Sequence, residues 1–316
     1  MKHVVVVEPI HPDGLALLEA ERGLGVTALP AGATRAEMLA AVPGASAILV
    51  RVAPLDAALL AAAPALEIVS KHGVGCDNID LAHCRARGIP VTVAADANAI
   101  SVAEHTLTLM LAAAKRLAAQ EAAARAAAWG ARGGFGAIEL SGRTLLVIGF
   151  GRVGRRVARL SAAFGMRVLA HDPLLDPEAE TAGAERAPDL DRALGEADIV
   201  CLHTPLTSAT RGLLDAARLA RLRPGAILVN AARGGIVEEA ALRAALVEGR
   251  LGAYASDVFA TEPLAPDDPI LTAPNTVLTP HAAAMTGEAM RAMALQSAAN
   301  IRAHFAGLLD PGVLAP

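Results

Sequence analysis

Aromatic side chains are nearly missing from this chain, with one Trp, one Tyr and five Phe among 316 residues. Single-stranded nucleic acids bind by stacking bases on such rings, so that class of partner finds little here. Nor is there a cationic excess to neutralise phosphates: 28 Lys and Arg stand against 32 Asp and Glu, a net charge of −4. Cysteine is scarce as well. Cys76, Cys84 and Cys201 make no C-x-x-C pair and no zinc pattern, so free thiols in a reducing cytosol are expected, with no metal site. The longer apolar runs, such as Leu107–Ala114, fall short of the roughly 20 residues that cross a bilayer. The opening MKHVVVVEPI lacks the apolar length and small-residue cleavage site of a signal peptide. It reads as a first strand, and the expected compartment is the cytoplasm, with no membrane partner.

What the chain does have is apolar material, 54% of it, much of it alanine. That suits buried parallel sheets, and the length allows two domains with a core each. The most informative stretch is Thr144–Asp172, TLLVIGFGRVGRRVARLSAAFGMRVLAHD. Thr144–Ile148 reads as a buried strand. Gly149, Gly151 and Gly154 follow in G-x-G-x-x-G spacing, and Val153, Val157, Leu160 and Phe164 continue at helical spacing until Gly165. A second strand, Met166–Ala170, leads to Asp172, which lies 172 − 154 = 18 positions past the last glycine.

Each part suits a dinucleotide. Gly149 permits the tight turn, Gly151 lets backbone approach a pyrophosphate, and Gly154 lets helix and strand pack closely. The helix N-terminus offers free N–H groups to the phosphates. Asp172 suits the adenosine ribose hydroxyls, and a 2′-phosphate about 4 Å from it would be repelled by about 4 kcal/mol. NAD is expected over NADP. A plain glycine-rich turn between core elements would leave Asp172 unexplained.

Before this stretch, candidate strands His3–Val7, Gly25–Ala28, Ala47–Val50, Glu67–Lys71 and Ile89–Thr92 alternate with helices near 14–21, 35–41, 56–63 and 81–86. This βα repeat predicts a parallel sheet covered on both faces. Thr34 and Glu37 make a capping box. The loop KHGVGCDNID, Lys71–Asp80, fits an anion site with Arg51 beside it, and equally a turn with solvated charges. Ser101–Arg116 reads as a long buried helix beginning after Asn98, with a second box at Ser101 and Glu104, followed by a glycine-interrupted arm from Trp129 to Leu140. After Asp172, strands are expected at Asp198–His203, Ala226–Asn230, Leu251–Asp257 and Thr276–Thr279, giving a six-stranded dinucleotide sheet, with a helix at Glu238–Glu248. A helical tail from Thr286 carries the stripe Met290, Ala294, Ile301 and Phe305, with Gly307 as its cap. With the sheet complete at 279, this tail is expected to return to the first domain, leaving a cleft between the two.

Three residues follow the C-terminal ends of these strands, the functional rim of a parallel sheet. Arg233 stands in NAARGGIV, Glu262 in DVFATEP and His281 in LTPHAAA. Hydride exchange leaves one proton to move, which suits His281. A carboxylate on its other nitrogen, Glu262, would fix the tautomer and favour the imidazolium. A guanidinium fork, Arg233, suits a substrate carboxylate. Singly, Arg233 also fits a solvated loop cation, Glu262 a surface acid and His281 a structural histidine; the combination points to chemistry. His203 reads as structural or beside the cofactor.

With those motifs in place, the chain resembles the D-isomer-specific 2-hydroxyacid dehydrogenases, in their phosphoglycerate dehydrogenase and hydroxypyruvate reductase branch. The likeness runs through KHGVGCDNID, NAISVAEHTLTLML, GFGRVG, HTPLTSATRGLL, NAARGGIVEEAAL, SDVFATEPL and TPHAAA. It implies an α/β fold with two doubly wound parallel-sheet domains: a flavodoxin-like substrate domain, residues 1–98 plus 284–316, into which a Rossmann NAD domain, 99–283, is inserted. It implies Arg233 as carboxylate anchor, His281 as general acid/base and Glu262 as its partner. Cofactor contacts are implied for Arg152, Val153, His203, Thr204, Pro205, Ala231, Asp257 and Ala284. Substrate contacts are implied for Arg51, Lys71, His72, Gly73, Val74, Gly75 and Met285. The long helix and the Trp129 arm resemble the family's dimer contacts, so a homodimer is expected.

His72 replaces a small residue common in the family, and Ala282–Met285 lacks its glycine-containing pattern, which points away from phosphoglycerate toward another small 2-hydroxy or 2-keto acid. No segment past Pro316 supplies a serine-sensing domain, so such feedback is not expected. Two other readings remain at this point: an NADH-sensing corepressor-like binding protein, and a phosphite or formate dehydrogenase on the same fold.

Overall fold

Along Val4–Val7 the side chains divide between two apolar layers. Val4 and Val6 pack with Leu18, Ala298 and Ile301, while Val5 and Val7 pack with Met38, Leu59 and Cys84. Alternate residues of a strand point to opposite sides, so this strand is covered on both faces, as a parallel sheet between helices requires. The structure, a computed structural model, describes residues 1–176 and 178–315 and divides into two units.

Unit 1 comprises Met1–Asn98 and Ala284–Pro316. Its elements are β1 (Lys2–Val6), α1 (Pro12–Glu19), β2 (Leu24–Ala28), α2 (Arg35–Ala41), β3 (Ala47–Val50), α3 (Ala57–Ala61), β4 (Ile68–Lys71), α4 (Leu81–Ala86) and β5 (Val91–Val93). The strands are parallel in the order β2-β1-β3-β4-β5, the flavodoxin-like winding. The Thr34–Glu37 box forms at the start of α2. The C-terminal helix, Gly287–Phe305, belongs to this unit and is capped by Thr286. Its Ala294 lies so near Gly14 of α1 that a Cβ there would stand 2.7 Å from the Ala294 backbone. Gly307 takes a positive φ of 70° just past the helix end.

Unit 2 comprises Ala99–Ala283. It contains α5 (Ala99–Ala114), α6 (Leu117–Arg125), β6 (Thr144–Ile148), α7 (Arg152–Ala163), β7 (Arg167–His171), β8 (Glu185–Arg186), α8 (Leu190–Glu196), β9 (Ile199–Leu202), α9 (Ala216–Arg221), β10 (Ala226–Asn230), α10 (Glu239–Val247), β11 (Leu251–Ser256) and β12 (Thr276–Leu278). The parallel order is β12-β11-β10-β9-β6-β7-β8. Leu145 and Val147 of β6 pack toward residues of α5 and α7; Leu146 and Ile148 pack toward residues of α8, α9 and α10.

Three sequence expectations need correction. The sheet has seven strands rather than six, because two charged residues, Glu185 and Arg186, pair with β7 at its edge; so short and polar a strand carries no hydrophobic period. Helix α5 does begin directly after Asn98, at Ala99, but it stops at Ala114 rather than Arg116, which already has a left-handed φ of 54°. Ser101 is therefore the third helical residue and caps nothing. Its hydroxyl donates instead to the carbonyl of Ala283 at 2.5 Å.

Candidate active site

The fingerprint turn is built around close backbone approach. Gly149 has φ +91°, and a Cβ there would lie 2.6 Å from the backbone of His203. At Gly154 a Cβ would lie 2.1 Å from the Gly149 carbonyl oxygen, whereas at Gly151, which opens α7, nothing stands within 4 Å. The first and third glycines thus close the turn, and the second leaves open space over the helix N-terminus, where a pyrophosphate fits. Asp172 is fixed against this turn: Oδ2 accepts the Phe150 N–H at 2.8 Å and Oδ1 the Leu174 N–H at 2.9 Å. Arg152 is exposed, and Val153 packs against the core.

His203 extends β9, its N–H donating to Ile148. Its Nε2 is buried with no partner, and burial pushes its pKa down to about 4, so the ring is neutral near pH 7. Thr204 and Ala231 are half-buried and Pro205 is exposed; the Pro205 carbonyl accepts from Thr210 Oγ1 at 2.6 Å. These residues line the ends of β9 and β10, on the same rim as the turn.

Arg233 leaves β10 through a turn held by the buried Asn230. Its Nδ2 donates to the Arg233 carbonyl at 2.9 Å, and its Oδ1 accepts the Ala232 N–H at 3.0 Å. The guanidinium of Arg233 donates to the Ala232 carbonyl at 2.6 Å. Gly234 presses on the segment after β11, where a Cβ would stand 1.9 Å from the carbonyl carbon of Phe259. In that segment the Phe259 N–H donates to Glu262 Oε1 at 2.8 Å, and Glu262 Oε2 meets His281 Nδ1 at 2.6 Å. Arg233, Glu262 and His281 therefore converge, and both carboxylate oxygens of Glu262 are engaged.

The electrostatics agree with that arrangement. The Glu262 hydrogen bond raises the His281 pKa above its ordinary value, against the opposing pull of burial and of Arg233. Burial acts to raise Glu262, but the bonds from His281 and the Phe259 N–H, with the nearby charge of Arg233, leave it below the usual carboxylate range. With Nδ1 on Glu262, Nε2 of a half-exposed His281 side chain is the nitrogen left for chemistry.

Asp257, at the end of β11, is 1% exposed and holds the 279–283 turn. Its oxygens accept from Thr279 Oγ1 at 2.6 Å, the Ala282 N–H at 2.8 Å and the Ala283 N–H at 2.9 Å. Asn230, Thr279, Ser101 and His105 were not singled out for these roles in sequence; the partners of Thr279, Ser101 and His105 lie in other elements of the chain.

In unit 1, Arg51 follows β3. Its N–H donates to Glu8 and its guanidinium to the Pro9 carbonyl. Lys71 is buried and donates from Nζ to the Arg51 carbonyl and to Asn78 Oδ1, so this ammonium ties the loop to the end of β3. His72 is buried, with Nε2 lacking a partner; burial, helped by Arg51, pushes its pKa down to about 4. Gly73 takes φ +131° and Val74 turns to solvent, with Gly75 half-buried behind it. Ala284 is half-buried and Met285 half exposed.

Among the described residues no cluster of His, Cys, Asp or Glu could hold a metal ion, and no helix is long and apolar enough to cross a membrane.

Residues 107–283 match the family model described as D-isomer specific 2-hydroxyacid dehydrogenase, NAD binding domain. The chain is 45% identical over 282 residues to a D-3-phosphoglycerate dehydrogenase of Mycobacterium tuberculosis, a match covering 89% of this chain and 53% of that protein. It is 38% identical over 268 residues to a glyoxylate reductase of Korarchaeum cryptofilum, covering 83% and 80%. Among solved structures, D-lactate dehydrogenase from Aquifex aeolicus, complexed with NAD and lactic acid, superposes with a TM-score of 0.87 at 29% identity over 98% of each chain. The chain spans about half the length of the phosphoglycerate dehydrogenases it matches.

Proposed function

The chain belongs to the D-isomer specific 2-hydroxyacid dehydrogenase family, and on that footing we propose that it is an NAD(H)-dependent reductase of small 2-keto acids and dehydrogenase of the matching 2-hydroxy acids. One observation carries the reading: His281 Nδ1 sits 2.6 Å from Glu262 Oε2, with the charge of Arg233 acting on both. When bound, the nicotinamide supplies or accepts the hydride at C2 of the acid. Arg233 holds the substrate carboxylate and draws charge toward the adjacent carbonyl. His281 Nε2 gives its proton to the carbonyl oxygen in reduction and takes it back in oxidation. Glu262 keeps the ring in the tautomer that leaves Nε2 outward and favours its protonated form.

Unit 2 is the NAD domain in this reading, with the pyrophosphate at Gly149, Gly151, Arg152, Val153 and Gly154 and the ribose at Asp172. His203, Thr204, Pro205, Ala231, Asp257 and Ala284 complete the cofactor contacts. Unit 1 is the substrate domain, contributing Arg51, Lys71, His72, Gly73, Val74, Gly75 and Met285. The buried thiols of Cys84 and Cys201, neither in a disulfide, suit a reducing compartment, the cytoplasm.

Loss of NADH absorbance with a panel of glyoxylate, hydroxypyruvate, pyruvate, phosphohydroxypyruvate and sulfopyruvate tests the activity. Turnover of at least one keto acid, faster with NADH than with NADPH, is expected. NAD-dependent oxidation of formate or phosphite, with no keto acid reduced, would replace this reading with another chemistry on the same fold.

The raised His281 pKa has a sign that can be measured. Reduction needs the imidazolium, so its rate should persist above the ordinary histidine pKa and fall as pH rises through the raised value. Glu262→Gln removes the charge that raises it, so the falling limb of the kcat profile should move to lower pH. A limb that stays in place would assign it to another group. The positive His281 form also favours the fold most below the unfolded pKa, and that contribution is lost as pH rises through the folded one.

The homodimer of this reading is built on the long helix α5 and on the arm of Trp129, which is 73% exposed. Sedimentation should give a mass twice that of the 32.1 kDa chain; a single-chain mass at working concentrations would dismiss the dimer.

A further inference from the structure

Helix α5 reaches the 279–283 turn at two points one helical turn apart. Ser101 Oγ donates to the Ala283 carbonyl at 2.5 Å, and His105 Nε2 lies 3.0 Å from Thr279 Oγ1. Residues i and i+4 share a helix face, so Ser101 and His105 bracket the turn whose middle residue is His281. Proton counting gives the direction of the chain. Both Asp257 oxygens receive backbone N–H groups, which makes this side chain the acceptor. The single Thr279 hydroxyl proton then goes to Asp257 Oδ1, leaving Thr279 Oγ1 to accept from His105 Nε2–H. The same nitrogen is 3.4 Å from Asp257 Oδ1.

His281 itself sits in the left-handed region at φ +52°. A non-glycine residue held there is strained and persists only where its surroundings impose it. Here they do: the His281 N–H donates to the Asp257 carbonyl at 2.9 Å, and the flanking residues are tied to Asp257 and to α5. A polar ring is otherwise out of place on α5, whose buried positions are mostly Ala, Leu and Met. Packing alone would be served by an apolar side chain without desolvating an imidazole.

We infer that Ser101 and His105 are positioning residues: with Thr279 and Asp257 they clamp the 279–283 turn so that the His281 ring keeps Nδ1 on Glu262 and Nε2 outward. The inference rests on His281 being the acid/base of the reaction proposed above. Its test compares His105→Leu, His105→Gln and Thr279→Val, reading kcat, KM, NADH affinity by fluorescence quenching, and the melting temperature. A ring misplaced by about 1 Å loses on the order of 10²-fold in rate. His105→Leu and Thr279→Val should therefore each lower kcat by about 10- to 100-fold with KM and NADH affinity nearly unchanged. His105→Gln places an amide N–H near the lost Nε2–H and should recover most of the rate. Combining His105→Leu with Thr279→Val should lose little more than either alone, because both break one chain.

Unchanged kcat in His105→Leu, or a Gln variant no better than Leu, would overturn the clamp. If His105→Leu does not fold, the nearly isosteric Thr279→Val decides by the same readings. Loss of activity in His281→Ala with none in the clamp variants leaves the acid/base reading standing and removes only the clamp. Full activity in His281→Ala removes the acid/base reading itself.

Discussion

Replacement of His281 by alanine should lower kcat for keto-acid reduction by about 10²–10⁴-fold, the usual contribution of a positioned acid or base. NADH affinity should hardly change, because the imidazole bonds Glu262 rather than any residue of the fingerprint turn. The expectation rests on two features. Glu262 is fixed from behind by the Phe259 N–H, so it cannot swing away from the ring. The pair also favours the imidazolium, the form that reduction consumes. Steady-state kinetics together with NADH fluorescence check the split. Equal loss of rate and cofactor affinity would mean that His281 serves binding.

The second large effect should come from a single methyl group at Gly234. A Cβ there would stand 1.9 Å from the Phe259 carbonyl carbon and 2.2 Å from the Ala260 nitrogen, which are backbone atoms with no rotamer to change. Gly234→Ala must therefore push the Arg233 turn and the Phe259–Glu262 segment apart. That displaces the carboxylate anchor and the N–H that seats Glu262 in one step. Overpacking of this kind costs about 1–3 kcal/mol of stability, and misplacement of both groups should cut kcat/KM by about 10²-fold or more. Gly44→Ala serves as a control, since nothing lies within 4 Å of a Cβ there. Thermal melts and kcat/KM on both variants decide; a Gly234→Ala enzyme with wild-type kinetics would show the contact to be slack.

The fold was legible where hydrophobic periods are strong. Thr144–Ile148 and Ala226–Asn230 are wholly buried strands, read correctly to the residue. Elements without an apolar period were not legible. Helix α6, LAAQEAAAR, buries nothing, and α9 has six residues with one of them buried. At Ser101 a local pattern misled: S-x-x-E matches a capping box, yet the hydroxyl is taken by a carbonyl 182 positions away.

The candidate site divides in the same manner. Arg233, Glu262 and His281 stand out because each follows a strand end in a distinctive motif, and the structure brings them together. The support beneath them was hidden. Asn230 and Thr279 each read as the end of a strand, while His105 is one of several polar residues in a mostly apolar helix; only the folded chain sets His105 against a residue 174 positions away.

The most direct measurement is a label transfer with NADH deuterated at the transferable C4 position and the keto acid that turns over fastest. Mass spectrometry of the product should find one deuterium at C2 of the 2-hydroxy acid, with the signal lost in His281→Ala over the same time. Product carrying no deuterium at C2, or a protein that binds NADH and leaves every keto acid unreduced, would contradict hydride transfer at the Arg233, Glu262 and His281 site.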